Sequence, residues 1–199
     1  MRSLLRFGKH SLLTRSLRAA AREQGLTPML DRLEPLVGDL DRQYTGHRID
    51  NEYLRTKVLC QQAFQVDFAG PALDPAPAAV ADIGDSAGTH IRYLKALHPE
   101  LKTRFVSVNL DRAAVDRIRA QGLDAVQARA EDIGTQGLDF EVCLLFETLE
   151  HLPDPFNFLH SLATKTSCRR LVLTVPYVRR SRLGLHHMRA NLRKPVSAE

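Results

Sequence analysis

The stretch Val80–His90, VADIGDSAGTH, decides how the rest of the chain is read. A short apolar run reaches an acid, Asp82, and then Gly84 and Gly88 bracket small polar residues. The run AAVADI reads as a strand and THIRYLKALH as a helix, so the glycines fall in a strand-to-helix turn. In open α/β sheets ligands sit at the carboxyl ends of strands. Glycine lets the backbone come close to a ligand, and the helix that follows offers free N–H groups. A phosphate loop of the form G-x-x-x-x-G-K-[ST] fails here, because no lysine follows Gly88. A dinucleotide G-x-G-x-x-G is met only by Gly84, since Ser86 and Thr89 take the other two places.

Outward from the turn, strand and helix patterns alternate. RFVSVNL reads as a strand, RAAVDRIRAQG as a helix stopped at Gly122, and DAVQARA as a short strand. FEVCLLF is a strongly apolar strand, PFNFLHSLATK a helix and RRLVLTVP a further strand. This alternation predicts an α/β, Rossmann-like parallel sheet of about five strands with flanking helices. The strands are nearly continuous in apolar residues, as burial of both sheet faces requires. Upstream, residues 3–68 read as helices from the spacing of Leu12, Leu13 and Leu17 and of Leu30, Leu33, Leu36 and Leu40. DNEYLRTKVLCQQAF is the last of these, with Asp50 or Asn51 as N-cap. The proline-bearing Gly70–Ala78 marks entry to the sheet. The division expected is a helical N-terminal extension at 1–70, a ligand-binding core at 71–178 and a basic tail at 179–199.

The chain has 199 residues, and no apolar run approaches the length of a membrane span. Cys60, Cys143 and Cys168 form no close pair, which argues against a disulfide framework and for a reducing, cytoplasmic setting. The net charge of +5 is concentrated in two blocks, Arg2 to Arg22 and Arg169 to Lys194. The first could mimic a transit peptide, but a basic helical face is the preferred reading. The second admits nucleic acid without favouring it. Aromatic residues are 6% and tryptophan is absent, so base-stacking platforms are scarce.

Asp82, Gly84 and Gly88, with Ser86 in place of a middle glycine, resemble the acid-x-G-x-G-x-G loop of class I S-adenosylmethionine-dependent methyltransferases, of the type 11/12-like group. A carboxylate suits that cofactor, whose methionine end carries an ammonium group and no pyrophosphate. The segment LEHLPDP within FEVCLLFETLEHLPDPFNFLHSL, followed by LVLTVP, is similar to the fourth strand, post-strand loop, helix and fifth strand of the same family. The resemblance spans about Val80–Pro176. It implies that Asp82, Gly84, Ser86 and Gly88 hold the cofactor. Asn109 takes the place of the carboxylate that grips the ribose hydroxyls. Glu131, near Arg129 and Asp132, lies by the adenine pocket.

Glu147, Glu150 and His151 follow the fourth strand. On a helix they would share one face. Glu-x-x-Glu-His is similar to the metal motif of the small-RNA 2′-O-methyltransferases and the ubiquinone-pathway enzymes, which implies Mg²⁺ or Mn²⁺ held by these three, with His186 or His187 as a further ligand. Without a metal, His151, with Glu150, is the expected catalytic base at an acceptor hydroxyl. The family's sixth and seventh strands are not legible after Val175. The function expected is O-methylation of a small-molecule or carbohydrate hydroxyl, with a helical lid over the acceptor and homo-oligomer formation left open. An RNA methyltransferase and a non-catalytic scaffold of the same fold are the alternatives.

Overall fold

The computed structural model describes residues 2–37 and 49–176. Its sheet has five strands: β1 (Ala79–Ile83), β2 (Arg104–Asn109), β3 (Asp124–Gln127), β4 (Val142–Phe146) and β5 (Arg170–Thr174). Their spatial order is β3-β2-β1-β4-β5, and every pairing is parallel. The strand count, direction and sequence positions agree with the expectation. The sixth and seventh strands, the basic tail, His186 and His187 concern residues 177–199, outside the described residues, and Leu40 lies outside them as well.

The helices are α1 (Arg2–Glu23), α2 (Thr27–Leu33), α3 (Glu52–Ala69), α4 (Thr89–Leu97), α5 (Arg112–Ala120) and α6 (Pro155–Lys165). Their ends follow local chemistry. The Asn51 side chain accepts from the Leu54 N–H at 2.9 Å and caps α3. Asp111 and Asp154 cap α5 and α6 in the same way, and Pro155 takes the first helical position, where its missing N–H costs nothing. Gly122, at φ +76°, closes α5 as anticipated. α3 runs on to Ala69 and passes into a 3-10 turn over Gly70–Leu73, so the linker prolines act one turn later than their composition suggested.

All five residues of β1 and of β4 are buried. Val80, Val142 and Leu144 pack with Leu59, Ala63 and Val66 of α3 and with Ile91 and Leu94 of α4. On the opposite face Ala81, Cys143 and Leu145 meet Phe158 and Leu162 of α6. The last N-terminal helix thus shares one hydrophobic cluster with the sheet. Gln62 of α3 is buried there too, and the Tyr93 hydroxyl donates to its Oε1 at 3.1 Å.

Candidate functional site

The chain leaves β1 toward β2 on one side, while β4 lies on the other. A crevice therefore opens at the carboxyl ends of β1 and β4, the topological switch point of such sheets. Two cavities occupy it. One, of about 380 Å³, is lined by Asn109, Arg129, Glu131 and His151, among others. The second, of about 220 Å³, is lined by Gln61, Gln65, Asp85, Ser86 and His90, among others. Gly84 and Glu147 border both. A larger cavity of about 670 Å³ lies apart, among α1, α2 and α3, with Arg15, Arg18, Arg22 and Arg55 facing Asp31 and Glu52.

Gly84 adopts φ +95°, and its N–H donates to the Val108 carbonyl at 2.9 Å. A Cβ there would overlap the Thr148 hydroxyl and lie 3.0 Å from its methyl carbon. Thr148 is itself fixed, since its hydroxyl lies 3.2 Å from the Ile83 carbonyl and 3.0 Å from that of Phe146, bracing the ends of β1 and β4. Glu147 has φ +50°, a left-handed conformation uncommon for a residue with a side chain. Such strain concentrates at working sites, and here it stands where the two cavities meet.

Gly88 and Asp82 line neither cavity. Gly88 starts α4 at φ +68°, and a Cβ there would lie 2.8 Å from Leu123 and 3.2 Å from Ile118, so it lets the turn pack on α5. Asp82 is 1% exposed. Its Oδ2 is 3.2 Å from His90 Nδ1, and its Oδ1 has no hydrogen-bond partner among the described residues. His90 Nδ1 is also 3.5 Å from Asp85 Oδ2, Nε2 is 3.0 Å from Gln65 Oε1, and the ring stands edge-on to Phe146 with centroids 4.8 Å apart. Burial pushes the His90 pKa down, but the Asp85 and Asp82 carboxylates outweigh it and raise the value to about 9. Burial likewise raises Asp82 above the ordinary carboxylate range, against the opposing pull of His90. The two carboxylates thus favour the protonated ring.

Asn109 lines the 380 Å³ cavity with its amide partly committed to the backbone. Its Nδ2 donates to the Asp85 carbonyl at 3.3 Å, and its Oδ1 accepts from the Asp111 N–H at 2.9 Å. Glu131 and Arg129 both reach the 380 Å³ cavity and pair at 3.5 Å.

The expected metal arrangement of Glu147, Glu150 and His151 is not formed. It presupposed a helix, but Glu147 is left-handed and only Leu149–His151 makes a short 3-10 turn. Glu150 Oε1 and His151 Nε2 are 3.9 Å apart, and the His151 side chain is 75% exposed. Among the described residues the sole three-residue group with ligand atoms inside 4.8 Å is Asp82, Asp85 and His90. There the ring nitrogen already sits between both carboxylates as an ion pair. The three Glu147, Glu150 and His151 side chains therefore do not fit a divalent ion as placed.

Sequence reasoning missed His90, Gln65, Asp85 and Thr148. One signal was available: Gln62 and Gln65 sit among the apolar positions Leu59, Ala63 and Val66, and polar side chains on the buried face of a helix need partners.

No curated protein matches the chain in sequence. Residues 81–166 match the family model described as a methyltransferase domain. Among solved structures, the plantazolicin methyltransferase BpumL with a monoazolic desmethylPZN analog and SAH superposes with TM-score 0.51 at 11% identity, over 94% of this chain and 65% of that one. The same enzyme with a pentazolic analog and SAH gives 0.51 at 14%, with the same coverage. A putative sarcosine dimethylglycine methyltransferase from Galdieria sulphuraria gives 0.50 at 12%, over 73% of this chain and 58% of that one. The chain thus spans less than two thirds of the length of these structures.

Proposed function

From a core that is a class I S-adenosylmethionine-dependent methyltransferase domain, we propose that this chain transfers the cofactor's methyl group to a hydroxyl of a small-molecule or carbohydrate acceptor. The pair of cavities meeting at Gly84 and Glu147 carries this reading. A nucleoside would lie beside Asn109, Arg129 and Glu131, and the amino-acid end beside Asp85, Ser86 and His90. The donor set fits, because Asp85 and Glu147 line the smaller cavity and would meet the cofactor's ammonium group there. When bound, the cofactor supplies a sulfonium methyl as electrophile. His151, which lines the 380 Å³ cavity, takes the hydroxyl proton as the acceptor oxygen attacks. No step is routed through a metal, given how Glu147, Glu150 and His151 are placed.

The N-terminal helices serve as the acceptor lid in this reading, while Gln61 and Gln65 of α3 reach the smaller cavity of the same crevice. No helix among the described residues is long and apolar enough to cross a membrane. All three cysteines are free, in keeping with a cytoplasmic setting. A second reading, a non-catalytic scaffold, is favoured by the internally bonded Asn109 amide, which replaces a ribose-gripping carboxylate.

Calorimetric titration with S-adenosylmethionine, with NAD as control and with and without Mg²⁺ or Mn²⁺, tests the proposal. Micromolar binding of the first and none of NAD supports it. A His151→Ala variant should then keep cofactor binding and lose roughly 10²–10⁴-fold in methyl transfer. No binding in any condition overturns it. Binding without turnover on hydroxyl acceptors assigns the scaffold role, and steeply salt-dependent binding of oligonucleotides would move the acceptor to RNA.

A further inference from the structure

The smaller cavity has charges of both signs in its wall. Asp85 and Glu147 are acids, His90 offers an imidazole whose protonation the Asp85 and Asp82 carboxylates favour, and Gln61 and Gln65 add carboxamides from α3. That set complements a zwitterion, with an ammonium and a carboxylate on one carbon. The acids account for the ammonium. The carboxylate needs a cation, and among the described residues lining this cavity His90 is the one that supplies it.

We propose that His90 binds the α-carboxylate of the cofactor's methionine end, and that Asp82 is a positioning residue that aims the ring. This rests on the cofactor reading above. The geometry assigns the two ring nitrogens different tasks. Nδ1 is committed to Asp82, which lines neither cavity, and to Asp85, whose carboxylate also accepts the Ala87 and His90 N–H groups. Nε2 faces Gln65 Oε1 at 3.0 Å, a neutral partner on a residue that lines the cavity. A carboxylate offers Nε2–H a stronger, charge-assisted acceptor than a carboxamide does. Gln65, displaced from the ring, can turn its NH₂ group to the same carboxylate. With Asp82 1% exposed and held to Nδ1, the ring cannot rotate away without stranding a buried carboxylate. The raised pKa of His90 keeps the ring charged across the physiological range. The first-strand acid would therefore act on the amino-acid end through His90 rather than by direct contact, and helix α3 would become part of the cofactor site.

The test compares S-adenosylhomocysteine with its decarboxylated counterpart by titration calorimetry, on the full chain. The wild-type protein should prefer the intact ligand by about ten- to a hundred-fold, the worth of one or two charge-assisted hydrogen bonds. His90→Asn should remove most of that preference by weakening the intact ligand alone. Gln65→Glu places a competing carboxylate at Nε2, and it should give the same selective loss while keeping Asp82 paired, should the His90 variant fail to fold. Equal affinities for the two ligands in the wild type, or equal losses of both in the variants, overturn the role of His90 and leave the cofactor reading standing. Binding of neither ligand by the wild type overturns both.

Discussion

Replacing Gly84 by alanine should show how tightly the turn is built. Two costs arise. The backbone sits at φ +95°, where a residue with a Cβ is strained by about 1–3 kcal/mol. The new methyl group also overlaps Thr148, whose hydroxyl bridges the ends of β1 and β4, and displacing it forfeits a hydrogen bond worth about 1 kcal/mol. Together these come to about 2–4 kcal/mol, or roughly 5–15 °C in melting temperature for a chain of this size. Thr148→Ala removes the two nearest colliding atoms and leaves only the Cβ contact at 3.2 Å. Thermal melts of the wild type, both single variants and the double variant therefore form a cycle. The double variant should be more stable than additivity predicts, by about 1 kcal/mol, while the backbone strain remains. If Gly84→Ala melts within a degree of the wild type, or if the two costs simply add, the argument for contact between Gly84 and Thr148 fails.

Stability should fall with rising pH because of the buried network. His90 binds its proton more tightly in the folded chain, so its contribution is complete below about pH 6.5 and is lost as pH rises through about 9. Denaturant melts across that window should show the loss, and His90→Asn should flatten it. Asp82 is shifted upward as well, so Asp82→Asn should remove a further decline on the acid side of neutrality. Asn109→Asp should lower the melting temperature, since the Nδ2 bond to the Asp85 carbonyl is lost, yet tighten S-adenosylhomocysteine binding in calorimetry by supplying a carboxylate for the ribose. Asn51→Ala should cost about 1 kcal/mol in chemical denaturation through loss of the α3 cap.

The sheet was legible because each of its strands is a local pattern. VCLLF is apolar and buried throughout, AVADI is buried throughout and apolar but for Asp82, and the capping residues Asn51, Asp111 and Asp154 act within three residues of themselves. The glycine turn between β1 and α4 was legible for the same reason. The site's electrostatics were not, because the bonds that define them join distant positions. His90 reaches Gln65 on another helix, and Thr148 reaches Ile83 across two strands. No periodicity encodes such pairs. The helix expected for Glu147 to His151 failed because spacing alone carries no information on the sign of φ at Glu147. Where spacing put three ligands on one face, the backbone turned instead.

β1 stands at the centre of the sheet, with Val80 pairing to Phe105 on one side and Val142 on the other. Synthesis runs in a different order. Helix α3 and β1 leave the ribosome with apolar faces that β4 must cover, and β4 follows some sixty residues later, on the order of several seconds at roughly 5–20 residues per second. During that interval the apolar face of α3, the helix that later lines the smaller cavity, lacks the cover of Val142 and Leu144. Slower translation between the glycine turn and β4 should therefore lengthen the exposure of these apolar faces.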